Sequence, residues 1–171
     1  KIFNQLNVFK KEGLIKKIGV SVYSYKQLQL ILDNFDIDLV QLPFNIIDRR
    51  LIDNSLFEIL KSKGVEIHVR SVFLQGLLLM DKRNRPNKFS QWRDLWKLWH
   101  EWLHDNNLTA LEATVRYVVS MSEITKVLVG IDSKSQLEEI VLASTGGLPD
   151  IPKELFTNDV NLLNPVNWGR L

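Results

Sequence analysis

Lys17-Ile18-Gly19-Val20-Ser21-Val22-Tyr23 is a short stretch rich in β-branched residues. Directly behind it, residues 25–32 set Leu28, Leu30, Ile31 and Leu32 on what spacing makes a buried helix face. One strand running into one helix is the unit, and the chain repeats it. Residues 38–44 read as strand and 51–63 as helix, 65–73 as strand and 108–120 as helix, 126–131 as strand and 136–143 as helix. Strands joined through helical crossovers must run parallel, because the crossover returns the chain to the same edge direction. The fold class is therefore α/β, with four parallel strands.

Alternation along each strand assigns its faces. With Ile18 and Val20 turned toward helices, Gly19 and Ser21 turn inward, and so by the same parity do Leu39 and Gln41, His68 and Arg70, and Leu128 and Gly130. Parallel sheets gather ligand-binding groups at the C-terminal ends of their strands, which places Ser21, Gln41, Arg70 and Gly130 at one mouth. The third connection is longer than the others. Inside residues 84–104 it carries a turn at Pro86-Asn87 and then Trp92, Leu95, Trp96, Trp99 and Leu103 at helical spacing, an inserted Trp-rich helix packed outside or across a loop. A short amphipathic helix over residues 1–12 opens the chain and stops at Gly13. Residues 144–171 form a tail with Gly146, Gly147, Pro149, Pro152 and Pro165, so regular structure there should be short. The expectation is a single partial domain over 1–171, with the strand–helix units in 1–143.

Composition narrows the partners. The 171 residues are 45% hydrophobic, and 22 basic against 20 acidic residues leave a net charge of +2, too small for a field that would hold nucleic acid or an anionic membrane. Cysteine is absent, which removes disulfides and thiolate chemistry and fits a reducing cytoplasm. The apolar stretch around Phe73 to Met80 is broken by Gln75 and Gly76, far short of the roughly 20 residues of a membrane helix. Nothing at the start reads as a signal peptide, and Lys1 in place of methionine points to a start inside a longer chain or to a trimmed one.

Four segments carry a resemblance. Ile18-Gly19-Val20-Ser21 before a helix, then Val40-Gln41-Leu42-Pro43-Phe44-Asn45 with Asp48-Arg49-Arg50, resembles the fifth and sixth strands of aldo/keto reductases. Ser71-Val72-Phe73-Leu74-Gln75-Gly76-Leu77-Leu78 is similar to their seventh strand and its loop, and Val127-Leu128-Val129-Gly130 with Ser133, Gln136, Leu137 and Glu139 to their eighth. The resemblance implies the C-terminal half of a (β/α)8 TIM barrel that binds NADP(H) or NAD(H) extended, without a Rossmann fold, and reduces aldehydes or ketones. It places Ser21 and Gln41 at the nicotinamide carboxamide and the loop with Ser71, Phe73, Gln75 and Gly76 along the pyrophosphate. Gly130, Ser133 and Gln136 fall near the adenosine ribose, at a helix start whose amides favour anions.

This sequence departs from the family pattern in several places. Val22 replaces an asparagine, Ile140 another near the adenine, and Gln136 an arginine near the ribose phosphate, partly compensated by Lys134, which leaves NADP versus NAD open. Arg70 stands where the nicotinamide usually stacks on an aromatic ring. It suits a phosphate, an acidic substrate or a buried carboxylate. The family's proton-donor tyrosine and its lysine, aspartate and histidine partners belong to the first four strands, so no catalytic residue is expected here, and Tyr23, Tyr25 and Tyr117 do not qualify by position. The implied partners are a dinucleotide, a small carbonyl substrate, and a completing N-terminal half or a second copy of the chain. The rival reading is a non-catalytic half-barrel that serves as a binding or assembly module, since two open sheet edges and an uncovered interior invite a partner.

His100-Glu101-Trp102-Leu103-His104 matches H-E-x-x-H of zinc proteases. Helical geometry turns Glu101 nearly opposite the buried tryptophan stripe, among Arg93, Asp94 and Lys97, so a surface pair is preferred and no metal is expected. The stripe itself reads as core or interface rather than a base-stacking platform, and His68 as an interior histidine rather than a ligand.

Overall fold

In the computed structural model, which describes residues 1–53 and 55–170, four strands form one parallel sheet in the order β1-β2-β3-β4. They are β1 (Gly19–Ser21), β2 (Leu39–Pro43), β3 (Glu66–Arg70) and β4 (Ile124–Val127). Helix α1 (Ile2–Lys11) precedes β1, α2 (Tyr25–Asn34) joins β1 to β2, and α3 (Arg50–Asp53) with α4 (Leu56–Ser62) joins β2 to β3. The long third connection holds α5 (Arg93–Asp105) and α6 (Ala110–Val119), and α7 (Lys134–Ala143) follows β4. The α/β class with parallel strands holds.

The sheet has one covered and one open face, as parity requires. Val40, Leu42, Ile67 and Val69 are buried against the helices, joined there by Leu28, Leu60 and Val118, while Gly19 and Ser21 are exposed and Leu39, Gln41, His68 and Arg70 half-exposed. On the open side Leu39 lies over Gly19 so closely that a Cβ there would meet its Cδ1 at 2.5 Å, which is why glycine occupies that strand position. At the foot of the sheet Lys10 and the Ile18 amide share Asp38, holding its carboxyl below the ordinary range through the Lys10 hydrogen bond first. This tie docks α1, none of whose residues is fully buried.

Two local expectations are corrected. The last strand starts at Ile124 rather than Lys126 and ends at Val127, because the pairing shifts register between Ile67 and His68 and Thr125 Oγ1 accepts the Ile67 amide. Leu128 and Gly130 thus lie in the loop beyond the strand, although the Leu128 amide still donates to Val69. The helix expected over 51–63 is two pieces, interrupted where Ser55 takes the left-handed conformation at φ 51°.

The inserted helix packs across the loop after β3. The Trp99 indole donates to Leu78 at 3.2 Å, Trp96 to Phe89 and Trp102 to Asp150, so each tryptophan buries its ring and satisfies its one donor. The tail folds back over this helix: Leu155, Leu162 and Leu163 are buried, and Trp92 donates to Asp159. Among the described residues no helix is long and apolar enough to cross a membrane.

Candidate functional site

Among the described residues, left-handed backbone is most concentrated in the segment between β3 and α5. Ser71, Leu74, Gln75 and Gly76 take φ of 60°, 47°, 54° and 82°, and Leu74 is fully buried in that conformation. Backbone held this far from its preferred regions persists only where surrounding contacts over-determine it, and such loops cluster at ligand sites. Here the contacts are visible. Asn45 Nδ2 donates to Ser71 O, Leu77 N bonds to Leu74 O, and the Trp99 indole caps Leu78.

This loop forms one wall of a cleft of about 820 Å³ at the C-terminal ends of β3 and β4. Phe73, Gln75 and Gly76 line it from the loop, Gly130 and Gln136 from beyond β4, and Thr109, Ala110 and Leu111 from the start of α6. Half of the ten residues expected to hold cofactor therefore share one cavity. The α6 start is a capping box: Thr109 Oγ1 accepts the Glu112 amide at 3.1 Å and Glu112 accepts the Thr109 amide at 2.9 Å. The Thr109 amide comes first among the causes holding the Glu112 carboxyl below its usual value. The amides of Ala110 and Leu111 lack an intrahelical acceptor by helix geometry and sit in the cleft wall, a setting that suits an anion.

The remaining expected residues lie apart or at the border. Ser21 Oγ donates to Gln41 Oε1 at 3.3 Å on the open face of the sheet. Arg70 donates to Val22 O at 3.3 Å and to Ser71 Oγ at 3.4 Å, with its guanidinium 4.2 Å over the Tyr23 ring. Ser71 thus bridges the Ser21, Gln41 and Arg70 group to the cleft loop. Ser133 caps α7, accepting the Gln136 amide at 3.2 Å. Sequence reasoning missed Tyr23 as the partner of Arg70, and missed the α6 start as a wall because it lies more than thirty residues from the loop it faces. A Thr-x-x-Glu box at residues 109–112 was the available signal.

The H-E-x-x-H residues diverge. His104 and Glu101 are exposed, Glu101 beside Lys97, while half-buried His100 turns to Arg85, whose Nη1 and Nη2 both lie 3.3 Å from its Nε2 over the face of Trp96. Burial first, then the Arg85 charge, pushes the His100 pKa below its ordinary 6.5. Because the folded state resists this proton, the residue's contribution is at its most favourable above 6.5 and is eroded as pH falls toward the lower folded value. In an NMR titration the His100 Cε1 resonance is expected to move below pH 6.5, and Arg85→Gln to recover part of the difference. A wild-type midpoint at or above 6.5 would contradict the contact.

Strand order, helices on one face and a ligand-sized cleft at the strand ends define half of a parallel α/β barrel. Residues 1–150 match the Aldo/keto reductase family, and the chain belongs to it. The NADH-specific methylglyoxal reductase of Escherichia coli is 24% identical over 165 residues, which are 88% of this chain and 50% of that protein. An aldo-keto reductase from Bacillus halodurans superposes in its holo form with a TM-score of 0.65 at 21% identity, over 86% of this chain and 51% of that one. Its apo form gives 0.67 at 22%, over 90% and 53%. The chain spans about half the length of the relatives it matches.

Proposed function

We propose that the chain is the dinucleotide-holding half of an NAD(P)(H)-dependent reductase of small aldehydes or ketones. The observation that carries this reading is the strained loop from Ser71 to Gly76 walling a cleft that also receives Gly130, Gln136 and the α6 start. The cleft has the volume a dinucleotide needs, and the first residues of α6, whose amides have no intrahelical acceptor, are among those that line it. In this reading Phe73, Gln75 and Gly76 lie along the pyrophosphate, Ser133 and Gln136 near the adenosine, and Ser21 with Gln41 hold the carboxamide of the nicotinamide. Bound nicotinamide supplies or accepts a hydride. The residues of this chain bind, orient and exclude water, while the proton donor and its partners come from strands that complete the barrel.

Arg70, clamped by the Val22 carbonyl and the Tyr23 ring, is oriented but has no carboxylate in hydrogen-bond reach among the described residues. It serves as the cation for an anionic group at the mouth. Fluorescence titration with NADH and NADPH, paired with an assay of carbonyl reduction, tests the proposal. Saturable binding without turnover is expected of this chain alone, and a completing half added in trans restores turnover. Absence of binding of either nucleotide at millimolar concentration removes the reading. It then favours the second one, an assembly module, for which the half-exposed inner face of the sheet is the supporting observation.

A further inference from the structure

A second groove lies between α5 and the loop that leads into it, and it shares no lining residue with the cleft at the strand ends. We infer that this groove is a binding site for a small phosphate monoester, seated by Arg85 and held in the field of Lys82, Arg93 and Lys97. Its volume of about 530 Å³ is that of a small-molecule site. The four cations line it, and among the described residues Glu101 is the one carboxylate that does. Lys97 reaches Glu101 only at 3.8 Å, and Arg93 reaches Asp94 only at 3.8 Å, both as exposed pairs that hold their charges weakly.

Arg85 is the informative residue. It is half-buried and stands in no ion pair among the described residues. Its guanidinium lies 4.1 Å over the Trp96 ring, Nη2 donates to the Met80 carbonyl at 3.2 Å, and both Nη atoms lie 3.3 Å from His100 Nε2. Ring, carbonyl and uncharged imidazole orient the cation without neutralising it, and its buried Nε has no acceptor. Asp81 acts on Arg85 through space, but it is held by the Arg83 amide at 2.8 Å and does not line the groove. A half-buried guanidinium without a counter-ion is costly, and an oxyanion in the groove offsets that cost. A phosphate monoester brings about −1.5 to −2 charges at neutral pH, against one for a carboxylate, and so answers several cations at once. The space beyond the phosphate, beside Pro86 and Phe89, takes the organic part.

The test uses the chain as it stands, with phenyl phosphate, benzoate and phenol as probes at low salt in a phosphate-free buffer. The readout is the Cε1 resonance of each of the 3 histidines. Phenyl phosphate is expected to shift His100 saturably and to raise its titration midpoint, because the bound dianion offsets the Arg85 charge. Exposed His104, which does not line the groove, stays in place. Arg85→Gln should weaken binding about tenfold and Lys97→Gln about threefold, with added salt weakening it further. Lys97→Gln, at an exposed position, carries the test if loss of Arg85 unfolds the chain. No saturable shift of His100 at millimolar phenyl phosphate overturns the site, as does an affinity that Lys97→Gln and salt leave unchanged. Equal binding of phenol overturns the role of charge, and equal binding of benzoate overturns the assignment to phosphate.

Discussion

Replacing Trp99 with alanine is expected to destabilise the protein by about 3–5 kcal/mol, the range for truncating a large aromatic in a packed core. Trp99 is fully buried, stacks on Trp102 with centroids 5.7 Å apart, and donates to the Leu78 carbonyl directly behind the strained loop. Truncation removes the indole from the seam between α5 and that loop and leaves the Leu78 carbonyl without its partner. Loss of this size is comparable to the whole stability of many domains, about 5–15 kcal/mol, so the variant should be measured by urea unfolding at low temperature. Trp99→Phe separates the two contributions. It keeps most of the packing and loses the hydrogen bond, with an expected cost of about 1–2 kcal/mol. It should also weaken dinucleotide binding, because the carbonyl it releases belongs to the segment that shapes the cleft. A cost under about 1 kcal/mol for the alanine variant would mean that the inserted helix does not brace the loop.

The same contact marks where sequence reading stops. The stripe of Trp92, Leu95, Trp96, Trp99 and Leu103 announces a helix with one apolar face, and α5 has it, but periodicity says nothing about what the face meets. Strand existence and parallel order were legible because β-branched residues and helical spacing alternate strictly, and the parity that put Ser21, Gln41 and Arg70 on one face needs only the two-residue repeat of a strand. The shifted start of β4 was hidden, since a register shift depends on the neighbour strand and on Thr125, not on local propensity. The break at Ser55 was hidden for a related reason: serine carries no strong local signal for a left-handed conformation. The resemblance grouped Phe73, Gln75 and Gly76 in one loop, and these three line the cleft together. The Arg70 pairing with Tyr23 and the wall from α6 are long-range contacts, which one sequence does not encode locally.

Asn45 is where these long-range constraints converge, and its substitution should have the second large effect. The side chain is 1% exposed and uses both ends: Oδ1 accepts the Ile47 and Asp48 amides at 3.2 and 3.1 Å, and Nδ2 donates to the Ser71 carbonyl at 3.2 Å. Asn45→Ala strands the buried Ile47 amide and cuts the tie to Ser71, while the Asp48 amide keeps the Asn45 carbonyl and the Ser71 carbonyl keeps the Leu74 amide, for an expected loss of about 1–3 kcal/mol. Asn45→Asp is the sharper probe. It keeps the acceptor for the two amides but turns the donor facing Ser71 into a second acceptor, in a place where a charged carboxylate is poorly solvated. Its folded-state pKa should therefore rise above the ordinary aspartate value of about 3.9. The sign follows from linkage: an acid whose folded pKa is raised destabilises increasingly as pH climbs from the unfolded to the folded value, since the unfolded state releases the proton first. Measured against wild type at each pH, the deficit should be largest near neutrality and shrink on acidification, when the protonated carboxyl can donate to Ser71 as the amide did. Dinucleotide affinity should follow the same pH course, because it is the Ser71 turn that Asn45 holds. A deficit independent of pH would show that the Asn45 contact with Ser71 contributes nothing, and that the loop holds its strained form by packing on Trp99 and Leu78 alone.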